Sequence, residues 1–254
     1  MHWIVQNNFF SQIYYKALCE QLQRLEISYS SVSVNPRLLK IEPDITPLQS
    51  RVFVMGSSSL GKIAKIRQWT PGYFDQNLDY QLYLKHYSTQ MLNSNAIIST
   101  LVHAKPQWER FFIRPVYDLK TFSGNIMEKN DLITLQQKII KSTTYIDGNQ
   151  KIVIAPLQTI NAEYRFWVVD GKIVTSSLYK SRQQPLLSDQ VASHISGYAQ
   201  KQVDIWQPNR AFVMDIADTP NGLKIIEINA INSSALYACN IEKLISAINQ
   251  MKFK

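Results

Sequence analysis

The chain has 254 residues, 45% of them hydrophobic, 11% aromatic and 18% charged. That length fits one large domain or two small ones, and the apolar fraction excludes a disordered tail. A formal charge of +8 suits a polyanionic partner, whether nucleic acid, membrane surface or nucleotide phosphate, but the basic residues are dispersed, which argues against a basic tail wrapping a duplex.

Cys19 and Cys239 sit in apolar, helix-like segments without Cys-x-x-Cys spacing and read as buried free thiols of a reducing compartment. Met1 to Val5 runs straight into Gln6, Asn7 and Asn8, with no basic leader or small-residue cleavage site, so no signal peptide is expected. No stretch reaches the roughly 18 apolar residues of a membrane span. A cytoplasmic protein is the expectation.

The first part alternates strand and helix. Trp3 to Val5 reads as a strand, Ser11 to Leu25 as an amphipathic helix and Ile27 to Val34 as a strand. Arg51 to Met55 is an apolar strand that ends at Gly56 and three serines, and Leu60 to Arg67 reads as a short helix. Pro71-Gly72 breaks the chain before a tyrosine-rich helix expected over Asp75 to Leu92. Beyond Ala96 strands dominate: Phe111 to Pro115, then a helix from Asn130-Asp131 to Lys141, then Lys151 to Leu157. Tyr164 to Val169, Asp170-Gly171 and Lys172 to Tyr179 form the pattern of a two-residue type I′ hairpin. A helix is expected from about Ser188 to Val203. A second hairpin, Ala211 to Ile216 and Leu223 to Asn229, turns through Asp218 to Gly222, and a helix from about Ser234 to Met251 closes the chain.

Gly56-Ser57-Ser58-Ser59-Leu60-Gly61-Lys62 fits the Gly-x-x-x-x-Gly-Lys pattern of a phosphate loop and lies between strand and helix. The next residue is Ile63, so the hydroxyl that holds magnesium in such loops is missing. The plainer reading is a strand-to-helix turn closed by glycines. Asp215, after the apolar run Ala211 to Met214, is a candidate acidic partner for such a loop, so a phosphate-loop NTPase or nucleic-acid-binding protein using Gly56 to Lys62 stays open as an alternative.

In the second hairpin, a three- or five-residue loop centred on Asn221 places Asp215 opposite Glu227. Asn229, two residues on, shares their face. Two carboxylates and an amide oxygen are hard ligands suited to magnesium. The same alternation equally fits an amphipathic hairpin with Met214, Ile216, Ile226 and Ile228 inward. Against these carboxylates stand separated cations: Arg114 at the end of one strand, Lys120 beyond it, Arg165 in the first hairpin, and Lys180 and Arg182 after its second strand. Such a set can offset the charge of a triphosphate, and Arg165, Lys180 and Arg182 are the candidate catalytic cations. The four histidines are isolated and show no metal-ligand spacing.

Phe112-Ile113-Arg114-Pro115, Asp118-Leu119-Lys120, Glu163-Tyr164-Arg165, Asp170-Gly171, Asp215 and Glu227-Ile228-Asn229 resemble the ATP-grasp superfamily. More narrowly they resemble its clade defined by two arginines and a lysine, found in bacteria and bacteriophages. The Pro71-Gly72-Tyr73-Phe74 turn and the Asn229 to Tyr237 continuation look like that clade too, and the resemblance covers roughly residues 50 to 240.

It implies an α/β and α+β fold: a small N-terminal open α/β unit over 1–95, a small ATP-grasp lobe over 96–157 and a large lobe over 158–254, with mainly antiparallel sheets in the two lobes. It further implies ATP contacts from Arg114, Lys120 and Arg165, a hinge offering the backbone of Ile154, Ala155, Pro156 and Leu157 to adenine, and magnesium on Asp215, Glu227 and Asn229. The implied activity joins a small-molecule or peptide carboxylate to an amine or thiol through an acyl phosphate, with ADP as product. Arg114 stands where many members use lysine, and no long Gly-rich loop covers the phosphates. Dispersed charge and helically spaced Tyr80, Tyr83 and Tyr87 argue against nucleic acid as partner, and the full set of ligand candidates argues against a catalytically inert binding module.

Overall fold

The computed structural model describes residues 1–47, 49–117, 122 and 124–253. Its first sheet holds β1 (His2–Gln6), β2 (Tyr29–Asn35), β3 (Lys40–Glu42), β4 (Arg51–Met55) and β5 (Thr70–Gly72) in the order β3-β2-β1-β4-β5. All its neighbours are parallel except β2 and β3. β1 and most of β4 are buried, as their unbroken apolar runs require of parallel strands covered on both faces. Helices α1 (Gln12–Arg24) and α2 (Ser58–Ile66) supply the crossovers.

The tyrosine-rich segment is helical only over α3 (Tyr80–Tyr87). Asn77 is in the left-handed region (φ 59°), Asp79 caps the start through the Gln81 N–H, and Ser88 (φ 47°) stops the helix. Tyr80, Tyr83 and Tyr87 are core residues whose hydroxyls donate to the carbonyls of Asn93, Ile228 and Trp206.

A four-stranded antiparallel sheet follows, built from β6 (Ile97–Thr100), β7 (Arg110–Pro115), β8 (Asn125–Glu128) and β9 (Lys151–Ala155) in the order β6-β9-β7-β8. It is backed by α4 (Lys129–Ile140), whose Leu132 enters the same core as Phe111, Ile113, Ile152 and Ile154.

The third sheet is antiparallel and contains β10 (Ala162–Val169), β11 (Lys172–Ser181), β12 (Gln184–Ser188), β13 (Ala211–Thr219) and β14 (Gly222–Ala230), ordered β12-β11-β10-β13-β14. Asp170 (φ 47°) and Gly171 (φ 76°) make the left-handed pair that the β10–β11 turn demands. The helix expected from Ser188 begins instead at Ser193, as α5 (Ser193–Ile205), because the preceding residues form β12. Arg182 and Gln183, both left-handed at φ 46° and 64°, make the turn into β12, a position where glycine or asparagine would have announced it. The last helix, α6 (Ile241–Gln250), starts late at its Asn240 cap. Before it, residues 231–240 form a short 3-10 turn and a loop.

The fold class is therefore the expected one, an open α/β sheet followed by two mainly antiparallel sheets. Ile4 and Val54 share a core with Phe166, Phe212, Met214 and Ile228, while Trp3, Phe53 and Leu18 share another with Trp167, Val213, Leu244 and Ile248. The first and third sheets are thus packed through common apolar cores, and the second has a core of its own while also placing Val153 in the first of these. Among the described residues no helix is long and apolar enough to cross a membrane.

Candidate functional site

A cleft of about 530 Å³ lies between the four-stranded sheet and the third sheet. Phe112 and Arg114 of β7, Ile126 of β8, Pro156 and Leu157 after β9, Glu163 of β10, Lys180 of β11, and Ile226 and Glu227 of β14 line it. Two strand irregularities shape its wall in the third sheet.

The first is at β14. Its turn is only two residues long, because Thr219 pairs with Gly222, and that register alone would miss the Asp215–Glu227 pairing by one position. A bulge at Ile226 restores it, so that Asp215 does face Glu227 and Val213 faces Asn229. The bulge also replaces Ile226, expected in the core, by Ile225, which is fully buried, and turns Ile226 to the cleft.

The second is at β11, where Tyr179 is the extra residue between the Tyr164–Leu178 and Glu163–Lys180 pairs. The side chains of Tyr179 and Lys180 both reach Glu163: the Tyr179 hydroxyl donates to Oε2 at 2.8 Å and Lys180 Nζ lies 2.9 Å from Oε1.

The two central carboxylates each have an arginine. Arg165 lies beside Asp215 in the β10–β13 ladder and grips it with Nε to Oδ1 at 2.8 Å and Nη2 to Oδ2 at 2.7 Å, with both side chains almost wholly buried. Arg114 Nη1 donates to Glu227 Oε2 at 2.8 Å, and Asn229 Nδ2 donates to Glu227 Oε1 at 2.8 Å. Burial pushes the Asp215 carboxyl up to about 6 despite the opposing Arg165 guanidinium. Burial acts the same way on Glu227, but Arg114 and the Asn229 hydrogen bond outweigh it and hold that carboxyl below its ordinary value.

Among the described residues no three His, Cys, Asp or Glu side chains converge, so a metal site here depends on the amide of Asn229 as well as on the carboxylate pair. Asp215, Glu227 and Asn229 are nevertheless neighbours on one sheet face, and their oxygen chemistry fits magnesium.

The other expected residues fall into four groups. Arg114, Lys180, Pro156 and Leu157 line the cleft. Ile154 and Ala155 are buried and held in the β9 ladders, so any hinge contact at these two is a backbone one. Arg182 is exposed in the β11–β12 turn, with its N–H bonded to the Asn161 carbonyl. Lys120 lies outside the described residues. Asn93, which sequence patterning does not single out, lines the cleft, is 7% exposed and has a buried Oδ1 without a hydrogen-bond partner among the described residues.

The phosphate-loop pattern has a different use. Gln6 Oε1 accepts from the Ser57 N–H and hydroxyl, both at 2.8 Å, and so occupies a backbone donor that a phosphate would need. Ser57 caps α2, and a Cβ on Gly56 or Gly61 would collide with Gln6 at 2.6 Å or with the Tyr73 ring at 2.7 Å. The glycines permit packing, and Lys62 is exposed.

A family model for the ATP-grasp domain, family 3 of the clade named for its two arginines and a lysine, matches residues 65–248. D-alanine–D-alanine ligase from Bacillus anthracis complexed with ATP is similar in structure, with a TM-score of 0.63 at 11% identity over 98% of this chain and 96% of that one. The D-cycloserine synthetase DcsG has a TM-score of 0.61 at 9% identity over 98% of each chain. The ATP-grasp ligase PsnB complexed with a minimal precursor has 0.58 at 11% identity, over 98% and 97%. At such identities the likeness is one of fold. No curated protein matches the sequence.

Proposed function

The chain belongs to family 3 of the two-arginine, one-lysine clade of ATP-grasp domains, and we propose that it is an ATP- and magnesium-dependent ligase joining a carboxylate to an amine through an acyl phosphate. The observation that carries this reading is the inter-sheet cleft, in which Arg114, Lys180 and Glu227 surround a space next to the cross-strand Asp215–Glu227 pair. On this reading residues 1–95 form the N-terminal unit, 96–157 the small lobe and 158–254 the large lobe.

The nucleotide lies in the cleft, its base toward Pro156 and Leu157 and its phosphates toward Arg114. Asp215, Glu227 and Asn229 hold magnesium, which when bound offsets charge on the phosphates. A substrate carboxylate oxygen attacks the γ-phosphorus and ADP leaves. An amine then attacks the acyl carbon, loses a proton, and phosphate departs. The protein's part is positioning and charge compensation, which needs no nucleophile of its own. Lys180, which lines the cleft and is held on Glu163 at 2.9 Å, is the candidate to follow the transferring group. A site of action in the cytoplasm, where ATP is abundant, belongs to the same proposal.

The test is incubation with magnesium-ATP and a panel of carboxylates and amines. Peptides belong in the panel because PsnB, similar in fold, has a structure in complex with a precursor peptide. ADP and phosphate should form only when an acid and an amine are both present. Formation of AMP and pyrophosphate would overturn the acyl-phosphate route.

A further inference from the structure

Arg165 is the most enclosed cation of the site. It is 7% exposed, does not line the cleft, and spends Nε and Nη2 on Asp215 while Nη1 points to the Ala235 carbonyl at 3.4 Å. Its guanidinium carbon lies 4.8 Å from the ring centre of Tyr237 and 5.5 Å from that of Tyr179. These two rings are stacked on each other at 4.7 Å and 9°.

Both tyrosines are held in place for this contact. Tyr179 is the bulged residue of β11 and is anchored through its hydroxyl to Glu163. Tyr237 adopts φ 47°, a left-handed conformation that a bulky aromatic residue takes only when its surroundings enforce it. Its loop is tacked to β11 by the Ala238 N–H on Ser177 Oγ at 3.2 Å and the Asn240 N–H on Thr175 Oγ1 at 2.8 Å.

We propose that Arg165, Tyr179 and Tyr237 form a fixed positioning unit for Asp215, so that Arg165 acts on the metal–nucleotide complex through that carboxylate and touches no phosphate itself. The inference rests on the ligase reading above and on the magnesium role given there to Asp215. It separates the two arginines by task. Arg114 lines the cleft and meets the nucleotide, whereas Arg165 orients a metal ligand. A planar fork set against two aromatic rings suits orientation, and lysine cannot reproduce it.

The test measures ADP affinity in EDTA and in magnesium for the wild type, Arg165→Lys, Tyr237→Phe and Tyr237→Leu, with thermal melting as a check of folding and manganese EPR as a second readout. The unit predicts metal-free ADP affinity within about two-fold of wild type throughout, since no phosphate contact is lost. The tightening produced by magnesium should fall about ten-fold or more in Arg165→Lys, in the range expected for loss of a residue that orients a metal ligand. It should fall several-fold in Tyr237→Leu and be kept in Tyr237→Phe, which retains the ring. The manganese spectrum should change in the same order.

A loss of metal-free affinity in Arg165→Lys equal to the loss in magnesium would overturn the unit, because it marks a direct phosphate contact. Wild-type behaviour of Tyr237→Leu would overturn it as well. If Arg165→Lys does not fold, Tyr237→Leu decides alone. A wild type with no magnesium-dependent tightening overturns the ligase reading and the unit with it, whereas preserved tightening with a uniform affinity loss overturns the unit only.

Discussion

Arg114 and Glu227 meet across the cleft, Nη1 to Oε2 at 2.8 Å, although one belongs to the four-stranded sheet and the other to the third sheet. The pair joins the two walls and cancels one charge of each sign inside the cleft. A ligand that enters between them must satisfy both. An anion alone attracts Arg114 and strips Glu227 of its compensation, while a metal–polyphosphate complex offers a partner to each at once.

A crossover in affinity follows for Glu227→Gln. Glutamine is nearly isosteric and still accepts from Arg114, so the β14 hairpin should melt within a few degrees of wild type. With one negative charge removed, metal-free ADP should bind a few-fold more tightly. Magnesium should then help little, and turnover should drop about 100-fold, because an amide oxygen is a weaker ligand for this hard cation. Titrations with and without EDTA, beside a turnover assay, check all three. Unchanged turnover would remove Glu227 from the metal site.

Lys62 should be dispensable. Its loop is closed by Gln6 and Tyr73, and its side chain is exposed. Lys62→Ala should leave magnesium-ATP affinity within about two-fold, while Arg114→Met, which removes a cation lining the cleft, should weaken it by ten-fold or more, about 1.4 kcal/mol. Equilibrium binding of a fluorescent ATP analogue compares the two. The reverse order would restore the phosphate-loop alternative.

The contrast between these sites shows where sequence reading reaches and where it stops. The Asp170-Gly171 turn is legible because its residues name their own backbone angles. The facing of Asp215 and Glu227 is legible too, but for an incomplete reason: the sequence suggests a longer loop, and a two-residue turn with a compensating bulge at Ile226 produces the same pairing. A bulge has no sequence signature of its own, so the inward isoleucine is misplaced by one. The β11–β12 turn escapes notice because Arg182 and Gln183 take left-handed angles with ordinary side chains. Gln6 filling the Gly56 turn and Asn93 lining the cleft depend on segments brought together only by the fold.

Both cysteines should be unreactive in the native protein. Each is less than a tenth exposed, and burial raises both thiols, Cys239 to about 12. Thiolate is the reactive form, and burial disfavours it at both positions. Ellman's reagent should therefore label neither residue over an hour at about pH 8, and both at once in guanidinium. Cys239 lies in the same loop two residues after Tyr237, so its labelling also reports on that loop's opening, and magnesium-ADP should slow it further. Rapid labelling of one native thiol would contradict this packing.

Asn232 should matter for stability far more than its polar side chain suggests. It is fully buried, and its Nδ2 donates to the carbonyls of Val54 at 2.6 Å and Gly72 at 3.2 Å while its Oδ1 accepts from the Phe74 N–H at 2.9 Å. Its own carbonyl accepts from the Gly56 N–H at 2.8 Å. One side chain therefore satisfies three backbone groups from the first sheet and the turn beyond β5, and joins them to the segment that leaves the β14 carboxylate and amide. Asn232→Ala keeps the backbone bond but strands those three groups without water. At about 1 kcal/mol or more for each buried group left unpaired, the loss should be about 3 kcal/mol in urea unfolding. The effect should extend to the site, since the segment from Asn232 leads on to the Tyr237 loop, so magnesium-dependent ADP binding should weaken even where the variant is fully folded. A loss below about 1 kcal/mol would mean that the first sheet is held to the third by its apolar cores alone.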